Sequence, residues 1–141
     1  ILELEITEST MLADPARVQQ VLAKLSALGI RLSIDDFGAG YSSLTYLRRL
    51  PVNEIKIDRS FVTHMVTDES DAAIVRSVIE LARSLRLDVV AEGVEDEATW
   101  ARLTELGCAF AQGYHLSRPL PAGEFLAWLT ARDRSSAQTS V

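Results

Sequence analysis

Cysteine is nearly absent from this sequence: Cys108 is the only one in 141 residues. One thiol forms no internal disulfide and no multi-thiolate metal site, which excludes a disulfide-stapled scaffold and zinc-ribbon architectures. A reducing, cytoplasmic setting fits that usage, with Cys108 serving as a packing residue. Long apolar runs are also missing. No stretch approaches the roughly 20 residues a membrane span needs, and no basic-then-apolar leader opens the chain. A cationic excess is the third absence. Lys and Arg number 14 against 20 Asp and Glu, a net charge of −6, which argues against DNA or RNA as a partner because phosphate binding needs positive surface. An anionic small ligand would then require metal ions or a few well-placed cations. No internal repeat recurs, so a solenoid is excluded.

What is present is a hydrophobic fraction of 48%, enough for one globular domain with a real core. Five short runs read as strands: Leu2–Thr7, Ile30–Asp35, Glu54–Asp58, Leu87–Glu92 and Ala109–Gln112. Helical patterns lie between them. The first has Asp14 as N-cap, Pro15 at the first helical position, Val18, Val21, Leu22, Leu25 and Leu28 on one face, and Gly29 beyond its end. A short one covers about 43–50, and another over 70–85 places Ile74, Val78, Leu81 and Leu85 at helical spacing. One opens at Asp96 or Glu97 and runs to about Leu106, and the last spans 122–130. Trp100, Phe110, Phe125 and Trp128 fall on expected core positions. Strand, helix, strand at intervals of roughly 20–35 residues predicts right-handed crossovers and a parallel sheet, hence an α/β fold. Residues 132–141 are polar and aperiodic and read as a disordered tail, leaving 1–131 as the domain.

The carboxyl ends of the strands carry the chemistry. They read "LEITE", "SIDD", "IKID", "VVAEG" and "FAQGY", and in parallel α/β folds these ends form the ligand-binding rim. Glu5, Asp35, Asp36, Lys56, Glu92 and Gln112 are therefore expected to converge. Four carboxylates in one rim repel unless divalent cations hold them, and hard oxygen donors suit Mg²⁺, Mn²⁺ or Ca²⁺ better than zinc. A lysine adds fixed positive charge for a developing oxyanion, as in metal-dependent phosphoester hydrolysis. Each residue also has a plain alternative. Glu5 reads equally as an outward residue of an alternating strand, and Asp35–Asp36 as a strand-ending turn with a local cap. Lys56 reads as a solvated charge, although Ile55 and Ile57 on either side send it to the opposite, inward face. The triplet Asp36–Gly38 spells the DFG of protein kinases, but neither an HRD-type loop nor a glycine-rich loop accompanies it.

Taken in order, "LEITES", "SIDDFGAGYSSLTYLRRLPVNEIKIDRSFV", "VVAEGVED" and "AQGYHLSRPLP" resemble the successive motifs of the bacterial EAL domain. That family is a TIM-barrel phosphodiesterase that linearises cyclic di-GMP to pGpG. The resemblance implies metal-ligand roles for Glu5, Asp35, Asp36 and Glu92, with Lys56 and Glu92 catalytic. It implies substrate-binding or loop-control roles for Glu8, Phe37, Gly38, Gly40, Ser42, Gln112 and Arg118, and a structural role for Glu95. Two Mg²⁺ or Mn²⁺ ions, a homodimer, and upstream sensory or diguanylate cyclase domains, with a membrane anchor conceivable among them, come with the same resemblance. Neither the Glu-Ala-Leu motif nor the family's asparagine ligand occurs in these residues. Both are expected before Ile1, so the chain is expected to be about the last five strands of a partial (β/α)8 barrel whose metal site is incomplete and inactive in isolation. A cyclic di-GMP receptor or interaction module without hydrolysis is the competing expectation.

Overall fold

The computed structural model describes residues 2–39 and 44–138. Gly40 and Ser42, expected in loop control, lie outside the described residues. In chain order the elements are β1 (Glu3–Thr7), α1 (Glu8–Ala13), α2 (Pro15–Ala27), β2 (Arg31–Phe37), α3 (Leu44–Leu47) and β3 (Glu54–Ile57). They continue with α4 (Arg59–His64), α5 (Glu69–Leu85), β4 (Asp88–Glu92), α6 (Glu97–Glu105), β5 (Phe110–Gln112) and α7 (Ala122–Gln138). The five strands form one sheet in the order β1-β2-β3-β4-β5, with every pair parallel. All five predicted strands and the parallel α/β class are thus present, in the sequential order that βαβ crossovers produce.

Strand alternation divides the sheet into two chemically different faces. Leu32 and Ile34, Ile55 and Ile57, and Val89 and Ala91 are buried under the helices, most with no exposed surface. Met11, Leu22, Leu47, Val62, Val75, Val78, Ile79, Ala82 and Leu103 complete that core. The opposite face carries Glu3 and Glu5, Arg31 and Asp35, Glu54 and Lys56, and Asp88 and Glu92, because residues two apart share a face. At its amino-terminal end Arg31 of β2 ties its strand to three others, 3.4 Å from Glu3 of β1, 4.0 Å from Glu54 of β3 and 2.9 Å from Asp88 of β4. The catalytic candidates sit at the other end.

The helix boundaries follow local chemistry. Asp14 caps α2 by accepting from the Arg17 N–H at 3.1 Å, and Asp68 caps α5 by accepting from Ser70 and Asp71. Arg86, at φ 60°, ends α5 in the left-handed conformation. On α2 the stripe facing the core is Val18, Leu22 and Leu25, whereas Val21 and Leu28 are 47% and 76% exposed. The i, i+4, i+7 ridge is the part of the apolar set that one helical face can turn inward. Phe110 and Phe125, also expected in the core, are about half exposed. Two short helices, α1 and α4, had no counterpart in the sequence reading. The last helix continues past Thr130 to Gln138, and residues 139–141 of the expected tail lie outside the described residues. Among the described residues no helix is long and apolar enough to cross a membrane.

Candidate functional site

Lys56 organises the rim. On β3 its neighbours Ile55 and Ile57 point into the core, so its side chain crosses the polar face and is only 7% exposed. Its ammonium lies 2.7 Å from Glu5 Oε1, 2.6 Å from Glu92 Oε1 and 3.6 Å from Asp35 Oδ1. Burial alone would lower the Lys56 pKa. The hydrogen bonds to Glu5 and Glu92 and the field of Glu92 and Asp35 outweigh burial and raise it, so the ammonium stays charged.

Asp35 and Asp36 meet through a break in the strand. In a regular strand, adjacent side chains point to opposite faces. The β2–β3 register shifts between Ile34 and Phe37, and Asp36 adopts φ 54°, a left-handed conformation that Asp tolerates better than most residues. A bulge of this kind re-aims a side chain at a strand end. Carboxylate oxygens of Asp35, Asp36 and Glu92 consequently lie within 4.8 Å of one another.

Glu8 holds the loop that follows. It is 3% exposed, and Oε2 accepts from the Gly38 N–H at 3.0 Å. Gly38 has φ 104° and faces the Phe61 ring at 3.2 Å from where a Cβ would stand, so glycine suits both the torsion and the approach. Phe37 is 6% exposed and packs in the core, which anchors the loop from beneath and keeps its ring off the rim.

The remaining predicted residues stand further out. Gln112 pairs in register with Glu92, and the two line a cleft of about 200 Å³ with Arg59, Glu95 and Tyr114. Arg118 does not reach the acidic cluster; its guanidinium lies 4.6 Å from the centre of the Tyr114 ring, beside a second cleft of about 300 Å³ lined by Gln112, Phe125 and Trp128. Glu5 is the predicted ligand outside the three-carboxylate group, and its Oε1 lies 2.7 Å from Lys56.

Asp58 is the residue that sequence reasoning missed. It caps α4 by accepting from the Ser60 N–H at 2.7 Å, and its carboxylate stands close enough to Asp36 to perturb that group. Desolvation first, then repulsion from Asp35 and the nearness of Asp58, raise the Asp36 pKa. For Asp58 desolvation works upward too, but the Ser60 hydrogen bonds overcome it and its pKa is lowered. The available signal was an aspartate two residues after Lys56, in "IKID", at the same strand end.

The donor set suits a hard divalent cation. Two oxygens on one ion at about 2.4 Å are at most about 4.8 Å apart, and oxygens of Asp35, Asp36 and Glu92 all lie within 4.8 Å of one another, close enough to share an ion. Cys108 lies before β5 and is not one of the clustered ligand residues, and burial raises its thiol pKa, which keeps it a packing residue.

Comparison with known proteins adds a direct reading of ancestry. Residues 1–119 match the family model described as "EAL domain". The bifunctional diguanylate cyclase/cyclic di-GMP phosphodiesterase MucR of Pseudomonas aeruginosa is 53% identical over 124 residues, which are 88% of this chain and 18% of that protein. A solved structure of the MucR phosphodiesterase in complex with c-di-GMP superposes with a TM-score of 0.85 at 52% identity, covering 88% of this chain and 50% of that one. Klebsiella pneumoniae BlrP1, solved as a manganese/cyclic di-GMP complex, gives a TM-score of 0.77 at 38% identity over 83% of this chain and 30% of its own. The chain therefore spans less than a third of the length of its MucR relative and half of the solved MucR structure.

Proposed function

The chain belongs to the EAL domain family, and on that premise we propose that it carries the metal-binding rim of a phosphodiesterase that hydrolyses cyclic di-GMP to linear pGpG. The observation that carries this reading is the buried Lys56 ammonium, 2.7 Å from Glu5 and 2.6 Å from Glu92, beside the convergence of Asp35, Asp36 and Glu92. Solved relatives described as cyclic di-GMP complexes, one of them with manganese, support the substrate and the metal dependence.

In this reading Asp35, Asp36 and Glu92 would hold Mg²⁺ or Mn²⁺ with Glu5 joining them, and the intact domain would take two ions. Such ions lower the pKa of a water and screen the phosphate charge. The residues of the chain do the rest. Lys56 places a positive charge where the oxygens of the five-coordinate phosphorus gather negative charge. Glu92, one strand over from Lys56, holds the attacking water against the phosphate. Glu8 fixes the loop at Gly38, with Gly40 and Ser42 continuing it, and Phe37 seats its base. Gln112 and Arg118 stand where the rest of the dinucleotide would extend along the two clefts.

The remaining expectations follow the same reading. The chain's coverage of half the solved MucR structure supports a domain that needs further strands for turnover, in a protein that is a homodimer with signalling domains attached and acts in the cytoplasm. Residues 1–131 form the domain part. The test is turnover of full-length variants. Lys56→Ala and Glu92→Gln should each lower kcat by at least about 100-fold, and values within a few-fold of wild type would remove both residues from the chemistry. Unchanged cyclic di-GMP binding with no hydrolysis in the wild type would favour a receptor.

A further inference from the structure

The three carboxylates around Lys56 are chemically odd company for a group whose task is to meet a phosphate. A lysine ammonium has three N–H donors and no acceptor. Here Glu5 accepts one of them at 2.7 Å, with Glu92 at 2.6 Å and Asp35 at 3.6 Å within ion-pair reach. The ammonium is therefore surrounded by three carboxylates, and it is the most buried member of the cluster, at 7% exposure against 19–52% for its partners. Two of those partners, Asp35 and Glu92, also belong to the set whose oxygens lie within 4.8 Å of one another. One group of carboxylates thus serves two cations.

We propose that Lys56 is the internal counter-ion of this site: with no divalent ion bound it draws Glu5, Asp35 and Glu92 together, and it gives up carboxylate contacts when the ion enters. This inference rests on the phosphodiesterase reading of the site and adds a regulatory step to it. Lysine and ion compete for the same negative charge, so the ammonium is freed to face a phosphate only once the ion has taken its place. Loading with metal then becomes a condition for Lys56 to reach substrate. The geometry also explains the tolerance of so many carboxylates on one strand-end rim, since like charges this close need a cation in either state.

The competition predicts a result opposite to that of a simple supporting residue. Lys56→Met keeps the length and apolar stem of the side chain and removes the charge. Mn²⁺ alone, titrated without substrate and read from the free-ion electron paramagnetic resonance signal, should bind the full-chain variant at least about tenfold more tightly than wild type, since a unit positive charge a few ångströms from the ion opposes its binding. The ion-free variant should melt at lower temperature than wild type, with the larger rise on adding Mn²⁺. Affinity within twofold of wild type, or weaker, overturns the inference. A second readout uses the wild-type chain, in case Lys56→Met does not fold. The Lys56 side-chain ¹⁵N resonance should shift as Mg²⁺ is added, and an unmoved resonance at saturating Mg²⁺ overturns the inference as well. Failure of the phosphodiesterase reading is seen separately: a wild type that passes these binding tests yet leaves cyclic di-GMP intact loses the activity and keeps the competition.

Discussion

Asp36 follows Asp35 directly in the chain, yet their carboxylates face the same centre, because Asp36 turns to φ 54° at the point where β2 falls out of register with β3. The pair is thus a device of backbone geometry as much as of charge. Asp36→Asn keeps a residue that accepts this torsion, so folding stability should change by less than about 1 kcal/mol. Mn²⁺ affinity, lacking one anionic donor, should fall at least tenfold. Isothermal titration and urea melts on the same variant separate the two effects.

Glu8 is a buried acid with an identified task, the Gly38 N–H at 3.0 Å. Removing a charged acceptor from a buried donor costs about 2 kcal/mol, so Glu8→Ala should lower urea stability by that amount. It should also increase amide exchange at Gly38, a local effect that a purely global destabilisation would not single out.

Gly113 marks how closely the segment after β5 approaches the one after β4. A Cβ there would fall on the backbone of Val94, and neither backbone has a flexible end that could yield. Gly113→Ala should cost about 3 kcal/mol and displace Gln112 from Glu92. Chemical denaturation gives the first quantity and the Gln112 side-chain amide shifts report the second.

Asp96 gives the fold a dependence on pH that can be traced to one bond. It caps α6, and the Thr99 backbone N–H that it accepts at 2.8 Å, foremost among the causes, lowers its pKa from the ordinary 3.8. A lowered carboxylate pKa contributes stability above the unfolded value, which is lost as pH falls through the folded value. The melting temperature should therefore drop below about pH 4. Asp96→Asn, which retains an N-cap acceptor without a titrating charge, should drop less over the same range. Equal acid sensitivity in the two proteins would sever this link.

The sequence reading was strongest where parity decides. Ile55 and Ile57 flank Lys56, and a two-residue period sends the lysine to the face opposite the core whatever the rest of the chain does. The strand ends bearing Glu5, Asp35, Lys56 and Glu92 were legible on the same ground. The helices α1 and α4 were not, because six residues hold fewer than two turns and show no period. Thr7 makes no side-chain cap for α1, so its start lacked even a local signal. The outward turn of Val21 and Leu28 depends on which ridge of α2 meets the sheet, a tertiary matter. Asp58 escaped notice because its cap on Ser60 reads as an ordinary helix start, and its closeness to Asp36 is evident only once β2 and β3 are seen side by side.

The central claim is that these strand ends belong to a cyclic di-GMP phosphodiesterase, and the most direct measurement is the release of pGpG from cyclic di-GMP in the presence of Mn²⁺ or Mg²⁺. It should be made on the 141-residue chain and on a protein extended upstream by roughly 100 residues, about what an eight-stranded barrel requires beyond this segment. The account predicts pGpG from the extended protein, its loss on chelation, and little or none from the shorter chain. An extended protein that binds Mn²⁺ and cyclic di-GMP and still releases no pGpG would contradict it.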